Sequence, residues 1–281
     1  MKAAVISAQG PRKEMEDFHF IEIDFGRKGW VYAGVYDGHG GKHSARYAAK
    51  RIHELFLEAL VSGLTPQKAF EKAYVTTSEE LNHQDSGTTA VDLMIMDGRI
   101  YVANAGDARA LVVSSGGVRQ LSIDHRLDVY GERQRIIKAG GLVCPPYTRR
   151  GFQGMMPTRT IGDEYFKPVG VIATPSVREY EVKKDDLIAI AASDGLFDVM
   201  SNAEIGDFAR KTPDLEKLVR ALKREALVKR RATDSVTIVA VALQKESPKS
   251  SRSTQIARTI IGHPLLSRIT RRGRSGTGSQ K

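Results

Sequence analysis

Residues 31–41 read Val-Tyr-Ala-Gly-Val-Tyr-Asp-Gly-His-Gly-Gly, a β-branched and aromatic run that stops on Asp-Gly. Such a run predicts a strand over residues 30–36, because branched and ring side chains suit a pleated surface, and Asp37-Gly38 supplies residue types that chain reversals favour. The pattern recurs outward from this stretch. YVANAGDARA turns at Asp107, LIAIAASDGLFD ends at Asp194 with Asp198 following, and Asp17 and Asp234 stand immediately before strand-like runs. Further strands are predicted over residues 3–7, 18–24, 88–96, 100–105, 108–113, 187–192 and 236–243. Met96-Asp97-Gly98-Arg99 and Ala105-Gly106-Asp107 read as hairpin connections, which makes the sheets antiparallel.

Between the strands, residues 42–60 set Ala45, Ala48, Ala49, Ile52, Leu55, Phe56 and Ala59 on one helical face. A second helix is predicted over residues 66–81, with Thr65 as N-cap and Pro66 in the first turn. Two more are expected near 133–139 and 215–228. Helices interspersed with mostly antiparallel strands define a layered α+β fold, not the strict alternation of a doubly wound sheet.

The chain has 281 residues, 41% hydrophobic and 27% charged, which is enough for a sizeable core. Its single cysteine, Cys144, excludes an internal disulfide framework and a cysteine-rich zinc module. The opening MKAAVISAQGPRKEMED meets Pro11 and charge before a signal-peptide core could form, and no stretch reaches membrane-spanning length. The expectation is a cytoplasmic protein without a transmembrane segment, a nuclear location being left open. The net charge of +10 is concentrated at one end: residues 247–281 hold eight Lys or Arg and no Asp or Glu, leaving 35 basic against 33 acidic side chains before them. Residues 1–246 are therefore read as one nearly neutral domain and 247–281 as a basic, Ser/Thr-rich tail of disordered composition, whose charge suits an anionic partner.

The aspartates converge if the strands pair simply. A turn that sets Asp24 opposite Trp30 sets Asp17 opposite Asp37, and antiparallel neighbours would bring Asp194 and Asp234 to one rim. Taken singly, each Asp-Gly is explained by turn chemistry. Gathered together, the carboxylates repel and call for cations, and all-oxygen ligation favours Mg²⁺ or Mn²⁺ over zinc. His39 and His43 share a zinc-like spacing, but Gly40 and Gly41 interrupt any helix between them.

Eight segments now stand in order: Arg12 to Asp17, Tyr36-Asp37-Gly38-His39-Gly40-Gly41, Ser86-Gly87-Thr88-Thr89-Ala90, Ala105-Gly106-Asp107-Ala108-Arg109, Asp124-His125, Arg159-Thr160-Ile161-Gly162-Asp163, Ser193-Asp194-Gly195 through Asp198, and Asp234-Ser235. The combination closely resembles the type 2C, metal-dependent serine/threonine protein phosphatases over residues 1 to about 243. The resemblance implies a four-layer α-β-β-α sandwich with two central, mostly antiparallel sheets and two Mg²⁺ or Mn²⁺ ions in a cleft at one edge. By the same resemblance Asp37 would bridge both ions, Glu16 and the Gly38 carbonyl would complete one, and Asp194 with Asp234 would hold the other. Asp17 would orient a metal-bridged water that attacks phosphorus without a phosphoenzyme intermediate. A third, weaker ion would fall to Asp107 and, directly or through water, Asp198. Arg12 would grip the substrate phosphate, and His39 would protonate the leaving alkoxide. Implied partners are phosphoprotein substrates, with no obligatory regulatory subunit.

The chain departs from the family pattern at Ser235, where asparagine is common, at Phe197, where tryptophan is common, and at Arg126-Leu127, where Lys-Pro is common. A substrate flap is expected over about 130–168. The competing readings are a pseudophosphatase or binding scaffold of the same fold, which missing metal ligands would indicate, and a binuclear hydrolase of phosphodiesters, which the motif order disfavours.

Overall fold

The structure, a computed structural model, describes residues 1–81 and 86–244. The basic tail expected over 247–281 lies outside the described residues. Two five-stranded antiparallel sheets form the centre. The first runs Ala3–Ala8, Val236–Ala242, Asp186–Ala192, Arg109–Ser114, Val118–Gln120, and the second Ser176–Glu181, Arg99–Ala105, Ala90–Met96, Val31–Tyr36, Phe18–Ile23.

Side-chain alternation explains the layering. In Val31–Tyr36, Val31, Ala33 and Val35 join an inter-sheet core with Leu93, Ile100 and Val239, whereas Tyr32 and Tyr36 point the other way into a core with Phe56 and Phe70. Because successive strand residues face opposite sides, a strand covered on both faces reads as continuously apolar. Helices His43–Val61 and Pro66–Glu80 cover the second sheet, and Asn202–Lys211 and Leu215–Arg224 cover the first. The result is the expected four-layer α-β-β-α sandwich.

Several boundaries differ from the sequence expectation for identifiable reasons. Residues 88–96 are not one strand: Gly87–Thr88 pairs with Gly38–His39 and with Ile161–Gly162 in a separate three-stranded sheet, and the second-sheet strand begins at Ala90. The Asp97-Gly98 hairpin is present, with positive φ at both residues, as its two-residue turn requires. The expected hairpin at Ala105-Gly106-Asp107 is not: Arg99–Ala105 lies in the second sheet and Arg109–Ser114 in the first, so the chain crosses between sheets there. Gly106 permits the crossing, with φ of 126° and Thr89 so near that a Cβ would meet its side chain at 2.4 Å. Helix Asn202–Lys211 lies where no helix was expected, although Ser201 and Glu204 form a capping box at its start.

The expected flap comprises helix Tyr130–Lys138 and a small antiparallel sheet of Leu142–Cys144, Tyr147–Arg150 and Gln153–Met155. It packs on its own cluster of Leu127, Ile136, Met155, Phe166 and Val171.

Candidate active site

Phe18 pairs with Tyr36 and Ile23 with Val31, so the register expected from the turn is the one observed. Continuing it places Asp17 and Asp37 side by side where the pair of strands ends. Asp17 is buried; its Oδ2 accepts from Ser193 Oγ at 3.0 Å, and Thr237 also hydrogen-bonds the carboxyl, tying the second sheet to the first. The Asp37 carboxyl lies within hydrogen-bonding reach of both Asp17 and Asp194. Its backbone carbonyl accepts from Thr89 N at 2.8 Å and Thr88 Oγ1 at 3.0 Å, which locks the turn after the strand.

Ala192 pairs with Ile238, and Ser193 N donates to the Thr237 carbonyl at 3.0 Å. Asp194, just past one strand, and Asp234, just before its neighbour, therefore share a rim. The crossing at Gly106 delivers Asp107 to the same place. Asp37, Gly38, Asp107, Asp194 and Asp234 line a cleft of about 560 Å³ together with Arg12 and His39. The flap contributes Tyr147, Met155 and Met156 to its wall.

The acids disturb one another. Burial, then the charges of Asp17, Asp194, Asp107 and Asp234, push the Asp37 carboxyl well above the usual carboxylate range. Burial and the charges of Asp107, Asp198 and Asp234 raise Asp194 to about 7, and burial is the main cause that lifts Asp17 to about 6. Crowded, desolvated carboxylates favour whatever brings positive charge among them. The donors are all hard oxygens, which fits Mg²⁺ or Mn²⁺. Two arginines already reach in: Arg12 Nε lies 3.3 Å from Asp234 Oδ1, and Arg126 Nη2 lies 3.4 Å from Asp194 Oδ2. Among the described residues no three His, Cys, Asp or Glu side chains stand drawn together as an ion-holding group.

Not every expected residue enters the cleft. Glu16 lines an adjoining groove with Arg12 and Gly41; its Oε1 accepts from Gly41 N at 2.6 Å and its Oε2 lies 3.8 Å from Arg12 Nη2. Gly38 backs onto it closely enough that a Cβ would meet the Glu16 carbonyl at 2.5 Å. Asp198 is exposed at the edge and meets Arg126 at 3.2 Å.

Two residues given no role by the sequence reading are prominent here. Asp163 places both carboxylate oxygens 2.9 Å from His39 Nε2. The short sheet joining Gly38–His39, Gly87–Thr88 and Ile161–Gly162 makes that contact, and Gly87 leaves room for it: a Cβ there would meet Asp163 Oδ2 at 1.9 Å. The signal was the segment ending Gly162-Asp163, but nothing local connects it to His39. Arg126 was noted only as a substitution for lysine.

The fold and site define a two-sheet α+β sandwich with an acid-lined, arginine-flanked cleft at one edge, and comparison with known proteins makes the class specific. Residues 1–236 match the family model for Protein phosphatase 2C. The chain is 32% identical over 284 residues to "Probable protein phosphatase 2C 54" of Oryza sativa subsp. japonica, covering 92% of this chain and 78% of that one. It is 35% identical over 242 residues to "Probable protein phosphatase 2C 45" of the same organism, covering 84% and 85%. The solved serine-threonine phosphatase 2C from Toxoplasma gondii shares the fold with a TM-score of 0.72 at 23% identity, over 85% of this chain and 94% of that one. The chain belongs to the protein phosphatase 2C family. Among the described residues no helix is long and apolar enough to cross a membrane.

Proposed function

We propose that this protein hydrolyses phosphoserine and phosphothreonine in protein substrates, with two divalent ions at the cleft floor. The observation that carries this reading is the Asp37 carboxyl, held between Asp17 and Asp194 at the foot of a cleft that also presents Arg12 and His39. Asp37 and the Gly38 carbonyl would hold one ion, toward which Glu16 would turn from its bond to Gly41 N, and Asp37, Asp194 and Asp234 would hold the other. When bound, the ions supply hydroxide near neutral pH and screen the phosphate dianion.

This chain's own residues do the rest. Asp17, anchored to Ser193 and Thr237, orients the attacking water from below the floor. Arg12, half exposed at the mouth, offers its planar guanidinium to the phosphate oxygens. His39 gives its proton to the departing serine or threonine oxygen, and Asp163 holds the ring for that transfer.

The test is turnover of phosphoserine, phosphothreonine and phosphotyrosine peptides with Mn²⁺, with chelator, and for Asp37→Asn and Asp194→Asn. Expected are Mn²⁺-dependent release from the first two peptides and loss of nearly all turnover in both variants. Wild-type rates in the variants, or indifference to chelator, would overturn the assignment.

A further inference from the structure

Arg126 faces three carboxylates at once. Its Nε donates to Asp107 Oδ2 at 2.8 Å, and its Nη2 lies 3.2 Å from Asp198 Oδ1 and 3.4 Å from Asp194 Oδ2. Asp107 and Asp198 are the pair to which the family resemblance assigns a third, weaker ion. The residues present do not fit that ion, because the space between them is spanned by a guanidinium.

The arrangement is built from both sides. His125, next to Arg126, accepts at Nδ1 from Gly106 N at 3.2 Å, and its own N–H donates to the Gly106 carbonyl at 2.8 Å. Gly106 is next to Asp107, so this reciprocal pair, one bond to the His125 ring and one between backbones, sets the two partners of the ion pair against each other. Asp124, on the other flank of His125, is gripped by Arg109 with contacts of 2.5 to 3.2 Å. Asp107 is buried and Arg126 only 28% exposed, so the pair is poorly screened and its charges are worth more than on an open surface. Arginine is also the side chain for the task. Separate nitrogens of one planar fork reach Asp107 and Asp198 simultaneously and never lose their charge, whereas the lysine common in the family would present a single point charge.

We propose that Arg126 is a built-in counterion that takes the place of a third divalent ion between Asp107 and Asp198. The carboxylate cluster of this protein is then completed by two exchangeable ions and one permanent guanidinium. The inference rests on the two-ion reading of the cleft given above. The contacts of Arg126 reach neither Asp37 nor Asp234, and the one to Asp194 is the longest of the three, which leaves these carboxylates to the two-ion site.

The experiment is Mn²⁺ stoichiometry by equilibrium dialysis, from micromolar to millimolar ion, on the full chain and on Arg126→Ala, Asp198→Asn and the double variant, each checked for folding by circular dichroism. The wild type is expected to bind two Mn²⁺ per chain, and Asp198→Asn the same number. Arg126→Ala should gain a third, weaker Mn²⁺ that the double variant loses again. A third Mn²⁺ in the wild type that Asp198→Asn removes would overturn the inference, as would a folded Arg126→Ala that stays at two, and either would leave the phosphatase reading standing. Should Arg126→Ala fail to fold, the comparison of wild type with Asp198→Asn decides. No Mn²⁺ binding to the wild type would overturn the two-ion reading and the inference with it.

Discussion

His39 illustrates how one side chain acquires a role from a partner far along the chain. Burial alone would lower its basicity, but the charge and hydrogen bonds of Asp163, with Asp107 and Glu16 adding to them, turn the balance upward. The imidazolium form is thus favoured, which suits the proton-donor role proposed for His39. An aryl phosphate leaves as a weakly basic phenolate that needs no such donor, whereas a threonine alkoxide does. His39→Ala is expected to slow a phosphothreonine peptide by roughly 10² to 10⁴ and para-nitrophenyl phosphate far less, with Mn²⁺ affinity little changed. Asp163→Asn should reproduce the same selectivity in weaker form and move the basic limb of the peptide pH profile downward. Parallel losses on both substrates with weaker Mn²⁺ binding would place His39 among the ion ligands.

At the scale of elements, the flap is joined to the sandwich through a buried carboxylate. Glu132, in helix Tyr130–Lys138, accepts from Arg135 at 2.6 and 2.8 Å, from Arg159 Nη2 at 2.6 Å and from Thr158 Oγ1 at 2.7 Å. The two arginines pass the restraint on: Arg135 donates to the carbonyls of Gly170 and Thr158, and Arg159 to that of Thr174. Burial works against this anion, but the bonds from Arg135, Arg159 and Thr158 prevail and hold it far below the usual range. A depressed carboxylate stabilises the fold above its unfolded pKa near 4.5 and loses that contribution as pH falls below it. Glu132→Ala strands two partly buried guanidiniums, and a loss of about 3 to 5 kcal/mol in urea unfolding is expected. Glu132→Gln, which keeps an acceptor, should lose less. If the flap is held elsewhere, Glu132→Ala will unfold at the wild-type urea concentration and resist proteolysis over residues 142–155 as the wild type does.

For the whole molecule, the acid cluster joins the two sheets at the same rim, so its protonation is linked to global stability. Asp17 at about 6 and Asp194 at about 7 bind protons in the folded state that the unfolded chain, with carboxylates near 3.8, has already released. Raised acid pKa values make the ion-free fold lose stability as pH climbs through that window. Chelated protein should accordingly melt at lower temperature at about pH 8 than at about pH 5. Mn²⁺ should flatten or reverse the trend, since it competes with those protons and binds more tightly as they leave. A chelated protein whose melting temperature rises over this range would contradict the linkage. For residues 247–281 the effect expected from their charge is long-range attraction to anionic partners, which salt screens within about 8 to 10 Å. Deleting them is expected to leave small-phosphopeptide turnover unchanged and to weaken salt-sensitive binding to anionic partners; a large fall in peptide turnover would make the tail part of the catalytic unit.

Most of the central strands, the meeting of Asp17 with Asp37 and the shared rim of Asp194 and Asp234 were legible in the sequence, whereas the edge strands Val118–Gln120 and Ser176–Glu181 were not. The first of these meetings follows from a period of two and a short turn, which are local and determine register by themselves; Asp194 and Asp234, far apart in the sequence, share a rim because their strands are neighbours in the sheet. Eight ordered motifs did the same for the family. What only the tertiary structure decided lies between segments with no such local link. The crossing at Gly106 reads locally like a hairpin, and only the packing of two sheets against each other separates its strands. Asp163 meets His39 across 124 residues because a three-stranded sheet at the cleft edge brings their backbones together. Arg126 was visible only as a departure from the family's lysine until folding set it among Asp107, Asp194 and Asp198. A charge acquires meaning from its neighbours in space, and those neighbours are chosen by how the layers pack.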